Sequence, residues 1–383
     1  MKICNDIYYI GVNDYQIDLF EGQYPVPNGM AYNSYLIIDD KVAVLDTVDK
    51  KFKTQWLNNI NNILNHRQVD YLIIHHMEPD HSANIMHFIN MYPQVKIVAS
   101  DKAFFMMKNF FNEDFINNRI IIKDNDELNL GKYTLKFFSA PMVHWPEVMM
   151  SYEVNKKILF SADAFGKFGA LDINEDWTHE ARRYYFGIIG KYGLQVKCIL
   201  NKISNLDIKM ICSLHGPILK GNIHDYLNLY YKWSNYEPEE DGIVICYTSI
   251  YGHTLEAVNK LKDLLIKKGK TVIVHDLARC DIYKAIEDAF RYDKLILGTT
   301  TYNGDIFPKM RTFIEGLIER NYQKRKIGFI ENGSWCVVAA KIMKCMLNNC
   351  KDLTYYNTTV TIFSKLNEQS EKELNSLVDE IKK

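Results

Sequence analysis

Four apolar runs in the first part of the chain each stop at side chains able to bind a metal. This shared format constrains the fold more than any other feature of the sequence. Tyr71-Leu72-Ile73-Ile74 runs into His75-His76-Met77-Glu78-Pro79-Asp80-His81-Ser82. Tyr133-Thr134-Leu135-Lys136-Phe137-Phe138 leads to His144, Ile158-Leu159-Phe160 to Asp163, and Met210-Ile211-Cys212 to His215. Short β-rich runs that feed polar clusters read as buried strands ending in loops, where a rigid scaffold presents chemistry. Taken singly, His144, Asp163 and His215 read as structural residues; their common format links them. The chain has 11 histidines in 383 residues, so four donors within the span of His76, Glu78, Asp80 and His81 are hard to reach by accident. In extended or turning backbone, residues two apart can converge, which would let His76, Glu78 and Asp80 share one ion and direct His81 to a second. Imidazole with carboxylate suits iron or manganese, and the lack of thiolate argues against structural zinc.

The order H-x-E-x-D-H, followed at long intervals by His, Asp and His, resembles the metallo-β-lactamase fold. Hydrolases of that fold carry histidine where this chain has Glu78. Glutamate there resembles the flavodiiron proteins, and an oxygen donor shifts preference from zinc toward iron. The resemblance implies two iron ions: His76, Glu78 and His144 on one, Asp80, His81 and His215 on the other, and Asp163 bridging both. His75 stands where the family usually has asparagine and is left outside the ligand set.

The stretch to about residue 240 reads as one domain. Ile7–Val12, Ser34–Ile38 and Val42–Asp46 read as strands, and helical patterns cover about 51–65 and 101–112. This mixture, with the ligand order, implies a metallo-β-lactamase-like αββα sandwich over residues 1–240. Asn28–Tyr35 and Asp46–Val48 also resemble flavodiiron segments, although Asp46 itself reads as an acidic cap on a hairpin strand. The net charge of −1 comes without a basic block, which leaves no footprint for nucleic acid or a membrane surface. There is no apolar signal core at the start and no run of spanning length, so a cytoplasmic location is expected. Eight scattered cysteines include no C-x-x-C pair, so no rubredoxin-like centre is encoded in these residues and no disulfide is expected.

At Asn235-Tyr236-Glu237-Pro238-Glu239-Glu240-Asp241-Gly242 an acidic, proline-containing stretch reads as a linker. From Ile243 strand and helix alternate. Ile243–Tyr247, Thr271–His275, Lys294–Gly298, Lys326–Ile330 and Val360–Phe363 are the strands, and amphipathic patterns at Leu255–Lys268 and Asn367–Ile381 are among the helices. Five strands alternating with helices imply a doubly wound parallel sheet over residues 241–383. The first strand runs into Thr248-Ser249-Ile250-Tyr251-Gly252-His253-Thr254, a loop before a helix N-terminus that suits a phosphate. It lacks the lysine of a triphosphate loop, and one flavin mononucleotide (FMN) phosphate fits better. Thr300-Thr301-Tyr302-Asn303-Gly304 and Asn332-Gly333-Ser334-Trp335 resemble the second and third flavin loops of flavodoxins. Thr248 stands where an acid is common there, and Thr300 where proline is common.

The resemblance to flavodiiron proteins covers essentially the whole chain in the right domain order. It implies an oxidoreductase that reduces dioxygen to water, nitric oxide to nitrous oxide, or both, with FMN refilling a non-haem diiron site. It further implies a head-to-tail homodimer or a dimer of dimers, and an external donor such as rubredoxin or a reduced deazaflavin coenzyme. The main rival is a zinc-dependent hydrolase fused to a flavodoxin module.

Overall fold

The parallel pairing of short strands decides where the functional loops emerge. The computed structural model describes residues 1–382 and divides the chain into two compact units, Met1–Ser234 and Asn235–Lys383.

In the first unit a seven-stranded sheet has the spatial order Lys2–Cys4, Ile7–Tyr9, Tyr35–Ile38, Val42–Leu45, Tyr71–Ile73, Lys96–Ala99, Arg119–Ile121. Its last four strands are parallel, with Leu45 level with Ile73. The loops after Leu45 and Ile73 therefore leave by one edge. A five-stranded sheet follows, in the order Glu127–Asn129, Thr134–Ser139, Met149–Glu153, Ile158–Phe160, Met210–Cys212. Two antiparallel steps give Thr134–Ser139 and Ile158–Phe160 the same direction, and Met210–Cys212 lies parallel to the latter. The loops carrying His144, Asp163 and His215 thus all leave this sheet at one edge.

The sheets share one core. Tyr35, Ile37, Leu45, Ile73 and Val98 from the first pack with Leu135, Phe137, Ile158, Phe160 and Cys212 from the second. Helices Lys53–Leu64 and Asp101–Phe111 add Trp56, Ile60, Phe104 and Met107 to the buried set. Ser100 caps the latter helix by accepting from the Ala103 N–H, as its sequence position requires.

Two local expectations change. The expected strand Ile7–Val12 is two strands. Ile10 N–H turns to the Ser34 carbonyl, and Val12–Asp14 pairs with Met30–Tyr32 in a separate ribbon. The polar segment after Ile74 is not all loop, because Pro79–Ser82 forms one helical turn with proline at its start.

In the second unit the parallel sheet has the order Val272–Asp276, Glu240–Tyr247, Tyr292–Tyr302, Lys326–Gly333, Thr354–Phe363. Numbered along the chain this is 2-1-3-4-5, the flavodoxin arrangement, whose switch point lies between the first and third strands. Its core joins Ile243, Ile245, Ile296, Ile330 and Ile362 to Val258, Leu261 and Leu265 of helix His253–Lys267 and to Leu374 and Leu377 of helix Glu368–Lys382. Among the described residues no helix is long and apolar enough to cross a membrane.

Candidate functional site

The helical turn at Pro79–Ser82 sorts the clustered donors. His76 and Glu78 precede it, whereas Asp80 and His81 ride on it. His76, Glu78, His144 and Asp163 bring ligand atoms within 4.8 Å of one another, and so do Asp80, His81 and His215. The grouping of His76 and Glu78 with Asp80, allowed by spacing in an extended chain, is therefore not adopted. One helical turn rotates Asp80 away and sets it beside His81, with Oδ2 3.3 Å from His81 Nε2 and 3.4 Å from His215 Nε2.

Asp163 faces both groups. Its Oδ2 lies 3.1 Å from His144 Nε2 and 3.4 Å from His76 Nε2. Its Oδ1 lies 3.3 Å from His81 Nε2 and 3.7 Å from His215 Nε2. Glu78 Oε2 completes the first group at 3.1 Å from His144 and 3.3 Å from His76.

Buried acceptors hold the rings. His76 Nδ1–H donates to Glu147 Oε1 at 2.8 Å, which turns the Nε2 lone pair toward the cluster, and the same oxygen accepts the Met77 N–H. His215 Nδ1–H donates to the Ala31 carbonyl at 2.8 Å. Asp46 accepts the His75 N–H at 2.7 Å and contacts His75 Nδ1 at 2.6 Å, while Ser151 meets the other ring nitrogen. His75 thus faces away from the ligand set, and Asp46 anchors the loop as well as ending a strand. Glu147 was missed by sequence reasoning. Its only signal is its place three residues after His144, inside a turn whose shape the sequence does not disclose.

The residues fit a pair of cations. Both oxygens of Asp80 and of Asp163 are buried with no hydrogen-bond partner among the described residues. Such groups are costly unless an ion or proton compensates them. Burial pushes the Asp80 carboxyl up to about 7. Burial opposes the charge of Asp163 too, but His76, His144 and His81 outweigh it and hold the carboxyl well below the usual range. Burial likewise opposes the His144 cation, yet Asp163 and Glu78 hold that imidazole at about 9. Burial and the His81 charge drive His215 down to about 4. The donor set is mixed imidazole and carboxylate without thiolate, which matches iron. Aromatic rings wall the site. Phe20, Tyr32 and Tyr184 pack on His215, and Trp145 packs on His76.

In the second unit the expected loops enclose a pocket of about 440 Å³, within the range of cofactor sites. It is lined by Ser249, Ile250, Tyr251, His253, Thr254, Thr300, Thr301, Tyr302, Asn303, Gly304, Asn332, Gly333, Ser334 and Trp335, joined by Cys336 and Ser364. Two expected residues do not line it. Thr248 is turned into the sheet, where its Oγ1 lies 2.6 Å from Thr299 Oγ1, and Gly252 acts through its backbone, with φ of 92°. Thr300 Oγ1 is buried without a protein partner among the described residues, which suits a hydroxyl-rich ligand. Tyr251 and Trp335 are 89% and 92% exposed at the mouth of this pocket.

Residues 30–216 match the model of the ODP family beta lactamase, and residues 244–352 match the flavodoxin domain. The nitric oxide reductase of Moorella thermoacetica is 29% identical over 363 residues, covering 92% of this chain and 90% of that protein. The diflavin flavoprotein A 1 of Synechocystis is 31% identical over 304 residues, covering 77% of this chain and 53% of that protein. Among solved structures, a variant of the flavo di-iron protein of Thermotoga maritima superposes with a TM-score of 0.87 at 25% identity, over 98% of this chain and 95% of that one. With a beta-lactamase-type metal domain and a flavodoxin domain joined in that order, the chain belongs to the flavodiiron protein family.

Proposed function

We propose that this chain reduces dioxygen to water, nitric oxide to nitrous oxide, or both, at a non-haem diiron site supplied with electrons through FMN. The observation that carries the reading is the single Asp163 carboxylate with one oxygen in each donor group. His76, Glu78 and His144 would hold one iron, Asp80, His81 and His215 the other, and Asp163 would span them. When bound, the irons supply paired one-electron chemistry at a small diatomic, and the flavin supplies the electrons.

The protein residues prepare that chemistry. Glu147 and the Ala31 carbonyl fix two imidazoles with their Nε2 atoms turned inward, which avoids reorganisation during turnover. Phe20, Tyr32 and Trp145 exclude bulk water. Burial, aided by the charges of Asp163, Glu78 and Asp80, raises the Tyr184 phenol well above its ordinary value, so it keeps its proton as a donor beside the site. In the second unit, Ser249, Thr254 and the N-terminus of helix His253–Lys267 would receive the flavin phosphate. Tyr302 and Trp335 would border its ring.

A rubredoxin-like or deazaflavin donor would refill the flavin, and a head-to-tail homodimer or dimer of dimers would bring one subunit's flavin to another's metals. The test is metal analysis of anaerobically purified protein, followed by turnover with each gas and a reduced rubredoxin. Two irons per chain and gas consumption are expected. Zinc with no gas consumption would favour the hydrolase reading instead. A His144→Ala protein should keep its flavin absorbance and lose turnover, and undiminished turnover would remove His144 from the ligand set.

A further inference from the structure

Behind the metal loops, one buried imidazole joins the two sheets of the first unit. Asp46 follows strand Val42–Leu45 and His75 follows strand Tyr71–Ile73, both in the first sheet. Ser151 lies in strand Met149–Glu153 of the second sheet, between Phe137 and Phe160. His75 Nδ1–H donates to Asp46 Oδ2 at 2.6 Å, and its Nε2 meets Ser151 Oγ at 2.8 Å. All three residues are buried. The backbone repeats the link, because the His75 carbonyl accepts the Met149 N–H at 3.1 Å.

This bridge stands directly behind the first metal group. Asp46 Oδ1 accepts the His75 N–H at 2.7 Å and faces the His76 N–H at 3.4 Å. Two residues before Met149, Glu147 holds the His76 ring and the Met77 N–H. Residues 144–151 thus supply the donor His144, the acceptor for His76 and both contacts to His75. His76 comes from a loop of the first sheet and His144 from a loop of the second, and their Nε2 atoms lie 3.2 Å apart. That meeting depends on how the sheets are set against each other. Apolar packing tolerates small slides, whereas a hydrogen bond fixes distance and direction. Loss of either end of the bridge would leave a polar group buried without its partner. The second metal group is anchored elsewhere. Thr47 N–H and Oγ1–H both donate to the His81 carbonyl at 2.8 Å, and His215 Nδ1–H donates to the Ala31 carbonyl.

We propose that His75 is a positioning residue for the metal centre, which bridges Asp46 to Ser151 and so sets the two sheets for His76 and His144 to close on one ion. This role rests on the diiron reading, and it belongs to the first metal group alone.

The test is chelator competition on the anaerobically purified full chain with its flavin bound, resolving the two irons as separate steps. A Glu78→Ala protein identifies the step of the first group as the one it loses. In His75→Asn an amide N–H remains where Nδ1 stands, but the side chain no longer reaches Ser151. Ser151→Ala removes the other end of the bridge with little change in volume. Each variant should weaken the first iron about tenfold, the lower end for the loss of a ligand's orienting partner, and leave the second unchanged. The double variant should bind no more weakly than either single one, since both break the same bridge. If the change at His75 prevents folding, Ser151→Ala alone decides. Unchanged affinity for the first iron in Ser151→Ala overturns the proposal. Equal weakening of both irons also overturns it, because a general loss of packing would produce that. A parent chain that holds no iron overturns the diiron reading and the role of His75 with it, whereas a two-iron parent with unchanged variants overturns the role of His75 alone.

Discussion

At the scale of single residues, the metal centre is governed by groups that never touch the metal. Glu147 is 2% exposed and bonded to both His76 Nδ1 and the Met77 N–H. Glu147→Gln should lower iron affinity about 10–100-fold while leaving the fold intact, as expected when a ligand's orienting partner is lost. Chelator competition against the parent protein measures this, and unchanged affinity would mean that packing alone orients His76. The charge balance gives a second prediction. In metal-free protein Asp80 binds a proton below about 7 and His144 below about 9, whereas His215, lowered to about 4, is already neutral. Against the pull of burial, Asp163 raises His76 and Asp80 raises His81 as well. Iron must displace all of these protons, so ferrous uptake should release protons, and affinity should rise with pH through the neutral range. Anaerobic titration in weak buffer with an indicator dye reads the release. His76, Glu78, Asp80 and His81 stood out by their tight spacing, whereas His144, Asp163 and His215 were linked to them only by their shared place after apolar runs and by the family resemblance. Glu147 was not legible, because a carboxylate acting at a distance looks like any other acid in one sequence.

At the scale of elements, the sequence disclosed strands better than what joins them. Apolar runs such as Ile243–Tyr247 and Lys326–Ile330 mark strands directly, and the structure extends them at their ends. The helical turn at Pro79–Ser82 was hidden, since four residues show no periodicity, yet it decides which donors Asp80 joins. Thr248 shows the same limit. Its neighbourhood in sequence put it in the flavin loop, but alternation along the strand turns it toward Thr299. The loop's turn depends instead on Gly252, whose φ of 92° is in the left-handed region and whose missing Cβ would meet nothing within 4 Å. Replacement is therefore resisted by backbone conformation alone, at about 1–2 kcal/mol. Gly252→Ala should weaken FMN binding roughly tenfold if that strain is relieved by opening the loop. Flavin fluorescence on dilution reports it, and unchanged affinity would show that the loop tolerates the strain when the cofactor is bound.

At the scale of the whole molecule, two units with separate cores carry the two halves of one reaction. Electrons must pass between a flavin held by the second unit and metals held by the first. The proposed head-to-tail pairing makes this an event between subunits, and that can be separated from transfer within one chain. A His144→Ala subunit should retain flavin but lack a competent metal centre. A subunit with the flavin loop disabled, through Gly252→Val and Thr254→Val together, should retain metals but lack flavin. Each homodimer should be inactive. When the two are co-expressed and the mixed dimer is isolated by differential tags, one flavin faces one intact metal centre in the head-to-tail arrangement, so gas reduction should reappear. If electrons moved only within a chain, the mixed dimer would be as inactive as its parents, because neither subunit holds both groups. Recovered turnover that scales with the mixed fraction therefore supports transfer across the interface, and its absence in a verified mixed dimer would restrict the reaction to single subunits.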